Sequence, residues 1–408
     1  MTAETHTRTL SGGSRTFKRS TLQEMLWQAS QPGVLSLALG LPAAELFPTA
    51  AFADAVEKVL SHDALALQYG PPFQPLKSHI VDLMARRGVT CKEDEVFLTT
   101  GAQQAISLLA QVFLSPKGKI LIEELAYPGF LQVIKPFAPV TLTVPTHLET
   151  GMEIEKLEEL LTEGERPDLI YSIADGHNPL SVSMSVEKRL RLVELARYYR
   201  IPIIEDGAYG FLQYETPSMP SLRSFEDEWV FSVGSFSKIL GPSLRVGWII
   251  APPGMMDVLS VVKEASDIDT STFSQRAIAA FLQAGHMPSH LSNLCSEYAK
   301  RRDTQVDAIR RYFPPSSAVV RPRGGVFTWI ELPSHIDTQE LLRTALETEH
   351  VAFIPGRAFA VGQSVAVDSC LRLCFCNCAG ELIEEGIIRL ARALEQFRLR
   401  EPEHLVNR

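Results

Sequence analysis

The 408-residue sequence lacks the features that mark membrane, secreted or disulfide-rich proteins. No apolar run reaches the roughly 18 to 20 residues of a membrane-spanning helix, because the most apolar stretch, residues 231–252, contains Lys238 and Arg245. The first 21 residues hold no apolar segment of a secretory signal. The six cysteines indicate free thiols in a reducing compartment. We therefore expect a soluble, cytoplasmic protein that binds no membrane.

The sequence also lacks the usual signs of a nucleic-acid, nucleotide or metal partner. Acidic residues outnumber basic ones, 48 to 39, and the net charge of −9 is not gathered into a block of one sign. Neither G-x-x-x-x-G-K-[ST] nor G-x-G-x-x-G occurs. Cys374, Cys376 and Cys378 alternate, but no His/Cys pair follows at a zinc-like interval. We predict that these cysteines share one face of a strand and hold no metal.

What is present is the composition of a chain with a full core, 45% hydrophobic and 21% charged. From residue 95 to 251, short apolar runs alternate with segments of helical periodicity, which predicts an α/β fold around a mostly parallel sheet. The predicted strands, which we expect to be buried on both faces, are EVFLT, KILIEE, VTLTV, DLIYS, IPIIED, WVFSV and RVGWII. Helices are predicted over residues 76–88, 102–114 and 186–199, the first of them ending at Gly88.

The pattern of elements predicts two domains behind a short N-terminal segment. Residues 1–48 are too short to fold alone, and we expect a flexible first part and a remainder that packs on the small domain. Residues 49–286 form the large domain, and residues 287–408 form a smaller α+β domain. Its predicted elements are a charged helix over 289–312, the strands AVVRP, VFTWIEL, VAFIP and LRLCF, and a final helix after Gly380.

Lys238 lies just after a predicted strand, among small hydroxyl residues and seven residues before Arg245. This pattern suits a Schiff-base lysine beside a phosphate site, although a solvated surface lysine is the favoured interpretation when the position is taken alone. Residues 235–238 also match S-x-x-K of serine β-lactamases, but the S-D-N and K-T-G elements of that family are missing.

Two further positions lie where a parallel sheet binds ligands. Asp206 ends the run IPIIED, and ligands of open α/β sheets bind at the carboxyl ends of the strands. A carboxylate there can also simply cap the next helix. Gly101 precedes the helix predicted from Ala102, whose first amide groups form a natural seat for a phosphate.

These motifs, with others in a fixed order, resemble the fold type I pyridoxal-phosphate enzymes, specifically class I/II aminotransferases of the aminoadipate and aromatic or branched-chain amino-acid group. The shared pieces are Gly40-Leu-Pro with Leu46-Phe-Pro, Leu67-Gln-Tyr-Gly, Thr100-Gly-Ala-Gln-Gln, Ala126-Tyr-Pro-Gly, His177-Asn-Pro, Glu205-Asp-Gly-Ala-Tyr, Ser235-Phe-Ser-Lys with Leu244-Arg-Val-Gly, and Leu371-Arg-Leu-Cys-Phe. The resemblance spans about residues 20 to 395. It implies a seven-stranded, mostly parallel sheet in the large domain and pyridoxal 5'-phosphate as cofactor.

The resemblance also implies a role for each matching position. Lys238 would form the Schiff base and move a proton between the substrate Cα and the cofactor C4′. Asp206 would pair with the pyridine nitrogen. The other implied contacts are Asn178 and Tyr209 at the phenolic oxygen, Tyr127 on the ring, Gly101, Ala102, Gln103, Ser235, Ser237 and Arg245 at the phosphate, Tyr69 from the partner subunit of a homodimer, and Gly40, Asn178 and Arg372 at the substrate carboxylate. From the residues alone, Tyr127 and Tyr69 could be core aromatics and Arg372 could pair with a structural carboxylate.

The chain departs from the family pattern at residues 177–181, which read His-Asn-Pro-Leu-Ser where Gln-Asn-Pro-Thr-Gly is usual. Asp175 and His177 would make a titratable pair able to transfer protons, or the loop has drifted. Gly207 also replaces the second acid of the usual Glu-Asp-Asp.

We expect amino-group transfer between an α-amino acid and a 2-oxo acid. The alternative is elimination, replacement, cyclisation or oxidation of an amino acid, since both classes begin with the same proton removal. A regulator with an aminotransferase-like sensor domain is a third class, and it would carry a DNA-binding domain ahead of residue 20. The accepted side chain cannot be read from the sequence.

Overall fold

A computed structural model describes residues 27, 29–215, 219–362 and 365–400; the first part of the N-terminal segment, predicted to be flexible, lies outside them. The largest sheet has seven strands: β1 Val96–Thr99, β2 Lys119–Glu123, β3 Val140–Val144, β4 Leu169–Ser172, β5 Ile203–Asp206, β6 Val230–Ser235 and β7 Gly247–Ile250. Their order is β1-β7-β6-β5-β4-β2-β3. Only β7 runs antiparallel to its neighbours in this sheet, which confirms the predicted mostly parallel seven-stranded α/β fold.

Helices flank this sheet on both faces. The helices are α1 Thr49–His62, α2 Gln74–Ala85, α3 Ala102–Phe113, α4 Pro128–Ile134, α5 Ile154–Thr162, α6 Val186–Tyr199, α7 Met256–Asp267, α8 Thr272–Gln283, α9 Met287–Tyr312, α10 Thr338–Thr344 and α11 Gly380–Arg400. Side chains of α3, α4 and α7 share a core with Ile120 and Ile122 of β2. Those of α5 and α6 share another core with Leu121, because successive strand residues point to opposite faces.

The sequence pattern predicted most element ends within a few residues. Gly88 closes α2 as expected, since it adopts a φ of +76° and the following Val89 N–H donates to Met84 O at 3.2 Å. The expectation that every strand is buried on both faces is wrong for β3, whose first residue, Val140, is exposed. β3 is an edge strand, with a neighbour on one side only.

A second, antiparallel sheet lies in the C-terminal part. Its strands are β8 Ala318–Val319, β9 Phe327–Glu331, β10 Ile354–Pro355 and β11 Cys370–Cys374, in the order β8-β9-β11-β10. Two-residue pairs join Leu35–Ser36 to Val351–Ala352 in parallel and Thr146–His147 to Gly151–Met152. The division into domains at residues 48 and 286 stays a prediction, although α9 begins at Met287.

The three alternating cysteines do not share one strand face, contrary to the prediction. β11 ends at Cys374, and Cys376 and Cys378 follow it in bends, because the chain turns away from the sheet at this point. Within the described ranges, no cluster of His, Cys, Asp or Glu side chains is arranged to hold a metal ion. No helix in the same ranges is long and apolar enough to cross a membrane.

Candidate active site

A cavity of about 560 Å³ lies where β5 and β6 end, the edge at which a parallel sheet binds ligands. It brings together most of the predicted site residues, namely Gly40, Ala102, Gln103, Tyr127, Asn178, Asp206, Tyr209, Ser235, Ser237, Lys238, Arg245 and Arg372. Gly101 lies against Arg245 just outside this lining. Tyr69 does not line the cavity, and its side chain is 79% exposed.

Asp206 is a buried carboxylate whose hydrogen-bond donors are neutral. It is the last residue of β5, and it accepts hydrogen bonds from the Tyr171 hydroxyl at 2.8 Å and from Ala208 N at 3.2 Å. Burial raises the pKa of Asp206, and the Tyr171 hydrogen bond opposes that rise. No ion pair with Asp206 is formed among the residues described. A carboxylate in this state is suited to a ligand that brings a cationic N–H group.

Glu205, the neighbouring acid, points away from the cavity, as strand alternation predicts. Its carboxylate accepts hydrogen bonds from Ser221 Oγ and from Leu222 N at 2.6 Å. Its role is therefore to hold the turn that begins at Ser221, and Asp206 alone faces the cavity.

Lys238 is a partly buried amine on the cavity wall. Its Nζ donates to Gly40 O at 2.7 Å and lies 5.9 Å from the centre of the Tyr209 ring. Burial lowers the pKa of Lys238, which favours the neutral, nucleophilic form of the amine. The position is not that of a solvated surface lysine.

A helix N-terminus, two serines and an arginine meet at one part of the wall. Gly101 adopts a φ of +84°, and a Cβ atom there would lie only 2.8 Å from Arg245 Nη2. This close approach places the guanidinium beside the first turn of α3, where backbone N–H groups are unpaired. The hydroxyls of Ser235 and Ser237, 3.0 Å apart, share this lining. Arg245 donates to two backbone carbonyls, and no carboxylate in the described ranges pairs with it. The group is suited to an oxyanion such as a phosphate.

Arg372, in β11, provides a second cation from a different part of the chain. Its Nη1 donates to Asn178 Oδ1 at 2.7 Å and its Nη2 donates to Ala38 O at 2.9 Å. The guanidinium lies 3.9 Å from the Phe327 ring centre and 4.7 Å from that of Phe359. Burial lowers the pKa of Arg372 to about 10, and its Nε has no hydrogen-bond partner. No structural carboxylate among the described residues pairs with it, so the guanidinium is suited to a carboxylate ligand.

Two tyrosine side chains of the cavity are held by a hydrogen bond and by a ring contact. The Tyr127 hydroxyl donates to Gln103 Oε1 at 3.2 Å, and Tyr209 packs edge-on against Phe327, with 5.7 Å between the ring centres. Burial raises the pKa of both tyrosines, so each hydroxyl is protonated and able to donate.

Tyr171 and Phe327 belong to the site but were not predicted from the sequence. Tyr171 lies opposite Ile204 in the register of β4 and β5. Ile204 and Asp206 are two residues apart on β5 and so share a face, which means that the predicted strands already placed the Tyr171 ring on the side of Asp206. Phe327 lines the cavity because its strand pairs with the strand that carries Arg372, 45 residues further along the chain, and no local pattern indicated this.

Of the two interpretations of residues 175–181, the titratable pair of Asp175 and His177 is not formed. Asp175 is buried and bonded by Arg87, by Arg189 Nη2 at 2.7 Å and by Gln213 Nε2 at 3.1 Å. His177 instead has its Nε2 3.2 Å from Glu123 Oε2. The two side chains bond to different partners because the chain reverses across the intervening glycine, which has a φ of +58°.

The cavity therefore combines a buried carboxylate, a partly buried lysine and two arginines that no carboxylate in the described ranges neutralises. This set suits a ligand with a cationic ring and two anionic groups, which is the chemistry of a pyridoxal-phosphate enzyme that acts on an amino acid.

Comparison with known proteins agrees with this class. Residues 34–390 match the family Aminotransferase class I and II. The chain is 35% identical to aromatic-amino-acid aminotransferase 1 of Thermococcus litoralis, over 93% of this chain and 92% of that protein. It is 33% identical to the α-aminoadipate aminotransferase LysN of Thermus thermophilus, solved with N-(5'-phosphopyridoxyl)-L-leucine, with a TM-score of 0.88 over 97% and 99% of the two chains. It is 31% identical to the Pyrococcus horikoshii kynurenine aminotransferase, with a TM-score of 0.89 over 95% and 97%.

The chain belongs to the class I and II aminotransferases, as the sequence resemblance indicated. It is a fold type I, pyridoxal-phosphate-dependent enzyme of amino-group transfer.

Proposed function

We propose that this enzyme moves the amino group of an α-amino acid to a 2-oxo acid in the cavity around Lys238. The observation that carries the proposal is the placement of Arg372. Its buried guanidinium keeps an unbonded Nε and shares a cavity with Lys238 and Asp206. A guanidinium can hold a carboxylate through two hydrogen bonds, so both the donor amino acid and the acceptor oxo acid fit the same position.

The residues present fit the cofactor. Asp206 would face the pyridine nitrogen, Tyr127 the ring, and Asn178 and Tyr209 the phenolic oxygen. The phosphate would be held by Arg245, Ser235, Ser237 and the first amides of α3 from Gly101 to Gln103. When bound, pyridoxal phosphate supplies an electron sink for the electron pair of the breaking Cα–H bond.

Lys238 is proposed as the Schiff-base lysine and as the group that moves the proton. Its lowered pKa would favour the neutral amine, which could then take a proton from the substrate Cα and deliver it to C4′ of the bound cofactor. Arg372 fixes the substrate carboxylate, while Gly40 leaves room beside it, since a Cβ on Gly40 would lie 2.7 Å from the Phe327 ring.

We also propose that the enzyme works as a homodimer. Leu65, Leu67 and Tyr69, on the loop between α1 and α2, are 63%, 79% and 79% exposed, which favours coverage by another protein surface. In a dimer Tyr69 would reach the phosphate of the partner subunit. Sedimentation of the loaded enzyme tests this proposal, since a fully active monomer would contradict it.

The proposed compartment is the cytoplasm, which keeps thiols reduced. The support is that all six cysteines are free thiols. Alkylation of freshly lysed cells followed by mass measurement should show six blocked cysteines.

A single-turnover experiment tests the proposed function against its alternative. The cofactor-loaded enzyme is mixed with a panel of amino acids and no oxo acid. Transamination predicts one equivalent of 2-oxo acid per site and then arrest, with turnover resuming when a 2-oxo acid is added. Continued turnover without acceptor, with release of ammonia, a side-chain fragment or a cyclised product, would favour elimination, replacement or cyclisation instead.

A further inference from the structure

Two thiols lie together behind the cavity, and the proposed chemistry uses neither of them. Cys374 ends β11, two residues after Arg372, and Cys376 follows in the bend. Their Sγ atoms are 3.3 Å apart, and the residues are 0% and 1% exposed. A disulfide has sulfur atoms about 2.05 Å apart, so a bond between these two requires roughly 1 Å of movement.

The surroundings of the pair favour ionisation of one thiol. Burial opposes the charge, but backbone hydrogen bonds from Cys376 and Asn377 and the positive charge of Arg372 lower the pKa of Cys374 below its ordinary value. Burial raises the pKa of Cys376. A thiolate beside a protonated thiol is the arrangement in which one sulfur attacks an oxidant and the other resolves the product.

Cys376 is also connected to the cavity wall. Its Sγ donates to Leu41 O at 3.1 Å, and Lys238 Nζ donates to the adjacent Gly40 O at 2.7 Å. Leu41 and Gly40 both line the cavity. When the cofactor is bonded to Lys238, the lysine no longer donates to Gly40 O. Of these two contacts, only the hydrogen bond from Cys376 to Leu41 O then remains. A disulfide carries no S–H group, so its formation would remove that contact as well.

We propose that Cys374 and Cys376 form a reversible disulfide that loosens the Gly40–Leu41 wall of the substrate cavity. The oxidant is a small hydroperoxide, since the site is buried. Cys374 thiolate attacks one peroxide oxygen, the O–O bond breaks, and hydroxide leaves. Cys376 then attacks the resulting sulfenic sulfur, the S–S bond forms, and the second oxygen leaves as water. Two thiols are oxidised by two electrons while hydrogen peroxide is reduced to two waters, and a dithiol reverses the change.

The test uses reduced, cofactor-loaded enzyme treated with a small excess of hydrogen peroxide and then with an alkylating reagent. Peptide mapping should show Cys374 linked to Cys376 and a mass loss of two hydrogens. The KM for the donor amino acid should rise roughly two- to tenfold, as loss of one hydrogen bond predicts, and should return after dithiothreitol. The mass readout does not depend on the proposed function.

Three variants make the result specific. Cys376→Ser and Cys374→Ser cannot form the bond, so peroxide should leave the KM of each at its own untreated value. Cys295→Ser removes a partly exposed thiol that donates to Phe211 O, and it should keep the full wild-type response. Absence of the Cys374–Cys376 link, a link without any change in KM, or an equal peroxide response in Cys376→Ser would each overturn the proposal.

Discussion

Replacing Asp175 with asparagine should reduce stability strongly while leaving the chemistry intact. Asp175 is fully enclosed and receives hydrogen bonds from Arg87, from Arg189 at 2.7 and 3.2 Å and from Gln213 at 3.1 Å. The Arg87 and Arg189 side chains are only 6% and 0% exposed. Neutralising the carboxylate leaves two buried guanidinium groups without a counter-charge, which costs about 3 to 5 kcal/mol.

The pH dependence of this contribution has a definite sign. Burial alone would raise the pKa of Asp175, but the charges of Arg87 and Arg189 hold it below its ordinary value. A depressed pKa in the folded state stabilises the protein above the unfolded pKa of about 3.9, and the effect is lost as the pH falls through the folded value. At neutral pH the full difference between wild type and variant should therefore be present.

Urea unfolding of the cofactor-free proteins, followed by fluorescence and circular dichroism, measures the loss. Glu340→Gln is the matched control, because it neutralises an acid whose partner, Arg343, is 66% exposed, and such pairs contribute about 0 to 1 kcal/mol. Asp175→Asn should unfold at clearly lower urea than this control, with kcat per folded site close to wild type. An unchanged urea midpoint together with lost turnover would refute the structural role of Asp175 and would favour a role in proton transfer.

Four further predictions concern the cavity. Lys238→Ala should reduce turnover by several orders of magnitude, with the fold intact by circular dichroism. Near wild-type rates would exclude Lys238 as the Schiff-base and proton-transfer residue. Because burial lowers the Lys238 pKa, and a base must be neutral, single-turnover rates should rise with pH through an ionisation below the usual lysine range; a flat profile would contradict this. Asp206→Ala should retain cofactor in equilibrium dialysis but lose most activity, since the pyridine nitrogen is left unpaired. Arg372→Lys should raise the KM for amino acids about tenfold or more, because an ammonium cannot form two parallel hydrogen bonds, and better turnover of amines without a carboxylate would rule out the clamp.

The sheet could be predicted from the sequence because its strands are buried. Residues of β4, β5 and β6 are buried along their whole length, and such strands read as continuous apolar runs. Asp206 and Lys238 could be placed in the same way, since both follow directly from the ends of those runs.

The contacts between distant segments could not be predicted. Asp175 meets Arg87 across 88 residues of sequence, and nothing local indicates that pairing. For the loop at residues 174–178, the titratable pair of Asp175 and His177 was therefore left open beside a drifted loop, and the structure does not form that pair. The position of Cys376 was missed for a related reason, because the end of β11 depends on the turn that follows and not on the alternation of cysteines.

Tyr69 is a predicted site residue that does not line the cavity of its own chain. Its predicted role depends on a partner subunit, and in the isolated chain its side chain is largely exposed. The motif Leu67-Gln-Tyr-Gly suggested the role through resemblance alone, so sedimentation and cofactor affinity of Tyr69→Ala are needed to test it.

The lysine that carries the cofactor tests the central claim most directly. Borohydride reduction of the loaded enzyme, followed by peptide mapping, should place the pyridoxyl label on Lys238. Lys263 is the comparison, because it too is withdrawn from solvent but pairs with Asp267 at 2.7 Å, and Lys263→Ala should leave the label in place. Label on Lys263 or on any lysine other than Lys238 would contradict the assignment of the active site.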